Sequence, residues 1–107
     1  MSEPVLDLSE IVDLYKEDAR LMVDKMRQAV GRWAEVVDGG QARQELRKLS
    51  HQLRGSGRTY GFRQVTRFSK AIEGIMLRIE KGAVKADDRT KRAVVSMIER
   101  VASEFSA

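Results

Sequence analysis

The spacing of the apolar residues constrains the fold of this chain more than any other feature of its sequence. The only proline is Pro4, and the predicted breaks between helices fall at Gly39-Gly40, around Gly61, and from Gly82 to Asp88. Long uninterrupted segments remain, in which apolar residues recur at steps of three and four, the period of an amphipathic helix. No segment alternates as a strand does. The sequence therefore predicts four helices.

Each predicted helix has one apolar face. In the first helix this face comprises Tyr15, Ala19, Met22, Met26, Ala29, Trp33 and Val36, while Leu6, Leu8, Ile11 and Val12 form a short preceding helix or extend it. The second, from about 41 to 60, has Ala42, Leu46, Leu49, Leu53 and Tyr60. The third, from about 62 to 81, has Val65, Phe68, Ile72, Ile75, Met76 and Ile79. The fourth, from about 88 to 105, has Val94, Met97, Ile98, Val101 and Phe105, with Asp87 or Asp88 as N-cap. Short connections make neighbouring helices antiparallel, so the predicted fold is an all-α, up-down four-helix bundle.

Length and composition narrow the class of protein. The 107 residues suffice for one domain, which we predict to span 1–107. The absence of cysteine is typical of a reducing compartment, and no apolar run approaches the roughly 18 residues that span a bilayer. We therefore expect a cytoplasmic, monomeric protein without a membrane segment. The net charge of +4 admits nucleic acid, an anionic membrane or an acidic protein as partner, although the 6% aromatic content argues against a single-strand binder.

The single histidine is the main candidate for chemistry. Without cysteine and with one histidine, the chain has no Cys/His pair and no histidine-based zinc cluster, and we expect no metal site. At about 100° per residue, His51 points about 180° away from the apolar stripe that centres near Leu49 and Leu53. His51 is therefore predicted to lie on the solvent face of the second helix.

The neighbourhood of His51 makes an incidental surface histidine less plausible. Its outward sectors also hold Gln44, Arg47, Lys48, Arg54, Gly55 and Arg58. A glycine in mid-helix costs about 0.5–1 kcal/mol relative to alanine, and this helix has Gly55 and Gly57 close together. A missing side chain beside an exposed imidazole favours close approach by another molecule.

From His51 to Glu73 the sequence resembles the histidine-containing phosphotransfer (HPt) domain family, without a gap over 23 positions. The family pattern has a histidine, a hydrophobic residue two positions on, Lys-Gly and small residues, a large apolar residue with glycine, and a Leu/Ile-Glu pair. The matching residues are His51, Leu53, Arg54-Gly55-Ser56-Gly57, Tyr60-Gly61 and Ile72-Glu73.

The resemblance implies a phosphocarrier and not an enzyme in its own right. His51 would take a phosphoryl group from the aspartate of a response-regulator receiver domain and pass it to another receiver. The magnesium ion would belong to the receiver, with no cofactor in this chain. Glu73 would accept a hydrogen bond from the second ring nitrogen, and Arg54, in the lysine position of the family, would pair with the phosphoryl oxygens. Glu73 lies about 110° from its own apolar stripe, on the flank of the third helix, and a surface acid paired with Lys70 or Arg54 is the alternative.

The expected partner surface surrounds His51. It comprises Gln52, Gly55, Ser56, Gly57, Arg58, Lys70 and Leu77, with Leu8, Ile11 and Val12 as further apolar candidates. Tyr60 and Phe62 are interpreted mainly as packing residues. For Lys70 an incidental surface position is the better interpretation.

Three other functions stay open. One alternative is direct phosphorylation of the module by a histidine kinase domain, and the segment Arg58-Thr59-Tyr60-Gly61-Phe62 is somewhat similar to that branch of the family. No kinase domain lies between Met1 and Ala107, which favours a free-standing carrier. In the second, the basic residues around His51 bind nucleic acid. In the third, the bundle is a docking module that is not phosphorylated.

Overall fold

The computed structural model describes residues 7–106, and this part of the chain is helical throughout apart from its connections. Its helices are α1 (Leu8–Arg32), α2 (Gly39–Tyr60), α3 (Arg63–Glu80) and α4 (Asp88–Ser103). Each helix packs on the next one along the chain, and α4 closes the ring against α1. Within residues 7–106 the backbones of the diagonal pairs, α1 with α3 and α2 with α4, do not approach each other closely. The predicted antiparallel four-helix bundle is confirmed.

Two helices begin at an aspartate that caps the backbone. The carboxylate of Asp7 accepts a hydrogen bond from the backbone N–H of Glu10 at 2.9 Å, and Asp87 accepts one from Thr90 at 2.9 Å. Of the two predicted caps of the fourth helix, Asp87 is the one used. Because α1 begins at Leu8, the described part of the chain has no separate N-terminal helix, while Pro4 and Leu6 lie outside it.

The connection between α1 and α2 differs from the prediction. The sequence places Val36 on the apolar face of the first helix. In the structure α1 ends before Trp33, and Val36 is 102% exposed. The carbonyl group of Trp33 accepts a hydrogen bond from the side chain of Arg43, which ties the end of α1 to α2. A Cβ at Gly39 would lie 2.6 Å from the same carbonyl oxygen. Gly39 and Gly40 therefore begin α2 against the end of α1, where the sequence suggested a break.

The core receives side chains from all four helices. Its buried apolar members are Tyr15, Ala19, Val23, Met26, Ala29, Val30, Trp33, Leu46, Leu49, Leu53, Val65, Ile72, Met76, Val94, Ile98, Val101 and Phe105. Of the other residues predicted to face inward, Met22, Phe68, Ile75, Ile79 and Met97 are half-buried against this core. Tyr60 is 37% exposed, although its ring stacks on that of Tyr15 at 4.3 Å between centroids. Val23 and Val30 were not on the predicted stripe, and they are buried because α1 contacts two neighbours, α2 and α4. No helix within residues 7–106 is long and apolar enough to cross a membrane.

Gly57 sets how closely α2 approaches α3. A Cβ at this position would lie 2.9 Å from Oγ1 of Thr66 and 3.1 Å from its backbone nitrogen. The carbonyl oxygen of Gly57 also accepts a hydrogen bond from Phe62 at 2.7 Å, which closes α2 around the left-handed Gly61 (φ 80°). We expected Gly57 to face a partner, but it is buried against α3, so its missing side chain serves the packing of the bundle.

Substitution of the two glycines by alanine separates these roles. Gly57→Ala should lower the free energy of unfolding by about 1–3 kcal/mol, because the new methyl group meets the backbone of α3. Gly55→Ala is the matched control: a Cβ there meets nothing within 4 Å, and it should raise stability by about 0.5–1 kcal/mol. Urea unfolding measures both, and equal effects would contradict the assigned contact.

Candidate functional site

His51 lies on the outer face of α2, between the two ends of that helix. Its side chain is 70% exposed, and its ring nitrogen Nδ1 lies 2.6 Å from Oε2 of Glu73 on α3. The other ring nitrogen, Nε2, makes no hydrogen bond within residues 7–106. One nitrogen is therefore held by the bundle, and the other is available to solvent or to a partner.

Glu73 is the partly hidden centre of this site. Its side chain is 11% exposed, and its two oxygens are divided between two residues of α2, Oε2 facing His51 and Oε1 accepting a hydrogen bond from Nη1 of Arg54 at 2.6 Å. Of the two cations that the sequence offered as surface partners of Glu73, Arg54 is bound, whereas Lys70 makes no ion pair in the described part of the chain. The carboxylate thus has both kinds of contact, to the imidazole and to a cation.

The hydrogen bonds of Glu73 decide its charge. Burial raises the pKa of Glu73, but the hydrogen bonds from Arg54 and His51 lower it by a larger amount. The pKa of Glu73 therefore lies below its ordinary value. Glu73 is therefore ionised at neutral pH and can only accept hydrogen bonds. It follows that Nδ1 of His51 carries the hydrogen in the bond to Glu73. In the neutral ring, Nε2 then has a free lone pair.

The surface next to the exposed imidazole is open. A Cβ at Gly55, one turn after His51, would meet nothing within 4 Å. On the other side, a shallow depression is lined by Arg47, Lys48, His51, Gln52 and Glu73. Gly55 has no side chain that could obstruct Nε2 from this direction, and the approach of a partner over this glycine stays a prediction.

Ser56 faces the inside of the bundle as well as its surface. It is half-buried, and its hydroxyl group forms a hydrogen bond of 2.9 Å with that of Tyr15 on α1. Burial raises the pKa of Tyr15 despite the opposing effect of the hydrogen bond to Ser56. Ser56 thus links α2 to α1 at the edge of the site, a role that the sequence did not indicate.

The remaining predicted partner residues are spread along the bundle. Arg58 follows the site on α2 and Lys70 precedes Glu73 on α3, and both are exposed, whereas Leu77 is half-buried one turn after Glu73. Of the other apolar candidates, Leu8 and Ile11 are exposed and Val12 is half-buried. These three lie in the first turns of α1, where they precede Tyr15.

Sequence reasoning missed two exposed leucines of α1. Leu14 is 52% and Leu21 is 62% exposed. At about 100° per residue both share the sector of Arg32, whose guanidinium binds Glu45 of α2 at 3.2 Å. They therefore lie on the edge of α1 that borders α2. Two hydrogen bonds join α1 to α2, Tyr15–Ser56 and Arg32–Glu45. Leu21 lies between them on α1 and His51 lies between them on α2, so the two residues are at a similar level along the bundle. The position of Leu14 and Leu21 off the apolar stripe of α1 was the feature of the sequence that could have indicated their exposure.

Comparison with protein families identifies the class of this bundle. The family model of the Hpt domain matches residues 10–104, most of the chain. The chain belongs to the Hpt domain family, as its resemblance from His51 to Glu73 indicated. Hpt domains serve in histidine phosphotransfer within phosphorelays, in which they interact with receiver domains and kinases. No curated protein and no solved structure shows significant similarity to the chain.

The lowered pKa of Glu73 predicts a pH-dependent contribution to stability. An acid whose pKa is depressed in the folded state stabilises the fold above its unfolded pKa, here about 4.5, and loses this contribution as the pH falls through the folded value. Wild type should therefore be more stable than Glu73→Gln at pH 7, and the difference should shrink progressively below about pH 4.5. Thermal unfolding over this pH range measures it. Glu80→Gln is the control, since Glu80 is exposed and binds Arg47 at a distance of 3.7 Å. A difference independent of pH would contradict the role of the charged carboxylate.

Proposed function

We propose that His51 is the phosphoacceptor of a two-component phosphorelay. Its Nε2 attacks the phosphorus of an aspartyl phosphate on a response-regulator receiver domain, so that an N–P bond forms, the P–O bond to the aspartate breaks, and the free carboxylate leaves. The reverse reaction passes the phosphoryl group to the aspartate of another receiver. The observation that carries this proposal is the 2.6 Å contact of Nδ1 with Glu73 in an imidazole that is 70% exposed.

Glu73 has a part on both sides of the reaction. Before transfer it keeps the hydrogen on Nδ1, and the lone pair of Nε2 is then directed outward. When Nε2 forms its bond to phosphorus, the ring becomes positively charged while Nδ1 keeps its hydrogen. The carboxylate, already in place and ionised, stabilises this charge without reorganisation.

Arg54 acts first as a positioning residue in this proposal. Its bond to Oε1 holds the Glu73 carboxylate in place and keeps it ionised. The family resemblance implied a direct contact between Arg54 and the phosphoryl oxygens. The guanidinium has five N–H donors, so its bond to Glu73 leaves other donors for an incoming phosphoryl group.

The receiver would supply the rest of the chemistry. Phosphoryl transfer depends mainly on positioning and on neutralising the charge of the transferred group. We expect the magnesium ion on the receiver and no cofactor in this chain, which then acts as a cytoplasmic carrier and not as an enzyme. Partners that receive and donate the group in turn need an approach over the open side of the site, which Gly55 provides.

Labelled phosphotransfer tests the phosphoacceptor directly. Receivers carrying ³²P-labelled aspartyl phosphate should transfer label to wild type in an acid-labile form, and His51→Gln should take up none. Glu73→Gln should slow transfer by about ten- to hundredfold, since a hydrogen bond to a charged group contributes about 1.5–3 kcal/mol. Arg54→Lys keeps a cation and should retain more activity than Arg54→Gln.

Each outcome of this experiment has a distinct meaning. Label on His51→Gln would place the phosphoryl group elsewhere and contradict the proposal. Label that comes only from a kinase catalytic domain, and from no receiver, would support the kinase-fed form of the family. Folded wild-type protein without label from either source would leave a docking or nucleic-acid-binding module.

The apolar edge of α1 should contribute to receiver binding. Complexes of this kind bury apolar side chains around the transferred group, and Leu21 is the large exposed apolar residue at the level of His51. Leu21→Ala should weaken receiver binding several-fold without changing the stability of the free protein, and Leu77→Ala tests the sequence-based candidate in the same assay. Val95→Ala is the control on α4, because Val95 is also exposed but lies on the helix diagonally opposite α2. Isothermal titration with a receiver measures the affinities, and equal loss in the control would contradict the assignment.

A further inference from the structure

Cations surround His51 on both sides along the bundle. We define the basic face as Arg47, Lys48, Arg54 and Arg58 of α2 together with Arg63 and Lys70 of α3. Arg47 and Lys48 line the depression beside the imidazole, and Arg58 and Arg63 line a second depression where α2 turns into α3. The candidate phosphoacceptor thus has cations on both sides of it along the bundle.

Most of this positive charge is not neutralised by the protein itself. Within residues 7–106, Lys48, Arg58, Arg63 and Lys70 form no ion pair, and all four side chains are exposed. The acids of the same surface are already engaged, Glu73 by His51 and Arg54, and Glu80 by Arg47. On the surface shared by α1 and α4, Arg27 binds both Asp24 and Glu99. The exposed Arg89 and Arg92 of α4 also form no ion pair within residues 7–106, so the basic face is distinguished by its position around His51.

The first half of α1 carries negative charge, opposite to that of the basic face. Its exposed outer positions carry the acids Glu10, Asp13, Glu17 and Asp18 in the half of the helix that precedes Arg20. An acidic molecule approaching the site is therefore attracted over α2 and α3 and repelled from this half of α1. Beyond these acids, the edge of α1 presents the exposed apolar side chain of Leu21.

We propose that the receivers served by this protein have an acidic surface around their phosphorylated aspartate. In the docked pair, the acidic groups of the receiver lie over the basic face, and its apolar contacts lie towards Leu21 on α1. This inference rests on the proposed phosphotransfer function and adds the chemistry of the partner. Attraction between opposite charges raises the rate of encounter and excludes partners of the wrong sign. Receivers with a neutral or basic surface are then poor partners.

The salt dependence of phosphotransfer tests this inference. The second-order rate constant of transfer from a phosphorylated receiver is measured by stopped flow between about 0.01 M and 0.15 M NaCl, over which the screening length falls from about 30 Å to about 8 Å. For the fastest receiver of a panel, the rate constant should fall steeply with salt. Lys48→Glu combined with Arg58→Glu should lower it at least about tenfold at low salt and flatten the salt dependence.

A matched control isolates the position of the charge from its amount. Arg89→Glu combined with Arg92→Glu changes the net charge equally, on exposed residues of α4, the helix diagonally opposite α2. This variant should keep both the rate and the salt dependence of wild type. Circular dichroism and thermal unfolding verify that both double variants are folded.

The results separate this inference from the function on which it rests. Transfer to wild type that is independent of salt, or equal loss in both double variants, overturns the acidic partner and leaves phosphotransfer standing. Failure of any receiver to label folded wild type contradicts the proposed function, and the inference falls with it. If a DNA duplex of about 20 base pairs binds wild type and loses its binding with Lys48→Glu and Arg58→Glu, while transfer is unchanged, the basic face serves nucleic acid instead.

Discussion

The Glu73 carboxylate, shared between His51 and Arg54, is the interaction on which the rest of the site depends. It joins two helices, because Glu73 belongs to α3 and both of its partners to α2. The contact requires that α2 and α3 approach closely, and Gly57 permits this approach by presenting no side chain to Thr66. Packing of the bundle and orientation of the imidazole are therefore not separate properties: whatever moves α3 away from α2 also releases Nδ1 of His51.

The ionised state of Glu73 has a cost that its neighbours offset. A carboxylate buried without partners would shift its pKa upward and take up a proton. Here the two hydrogen bonds, each at 2.6 Å, outweigh burial. An ion pair of this kind adds little net stability compared with apolar packing, so its value is better sought in the orientation of the ring. Arg54 maintains the ionised state of Glu73, and Glu73 in turn fixes the tautomer of His51.

The sequence predicted those features that depend on a single helix. The outward direction of His51 and the flank position of Glu73 follow from 100° per residue, and the contact between them agrees with both angles. Features that depend on two helices were not accessible in this way. Whether Gly57 faces a partner or α3 depends on which neighbour packs beside it, and the hydrogen bond of Arg43 to Trp33 at the end of α1 joins two helices. Leu21 escaped notice because a residue off the apolar stripe is ordinarily only solvated.

The division of the surface into an apolar edge and a basic face suits the proposed role of a carrier that exchanges partners. Such a protein must meet each receiver quickly and release it after transfer, so a very long-lived complex would limit the flux. Exposed charges act mainly on the rate of encounter, whereas buried apolar contacts act mainly on the rate of dissociation. Within residues 7–106, four exposed cations without ion pairs lie around the site, whereas the level of His51 has one large exposed apolar residue, Leu21. This balance favours fast encounter over tight binding, which is the property that a relay requires of its intermediate.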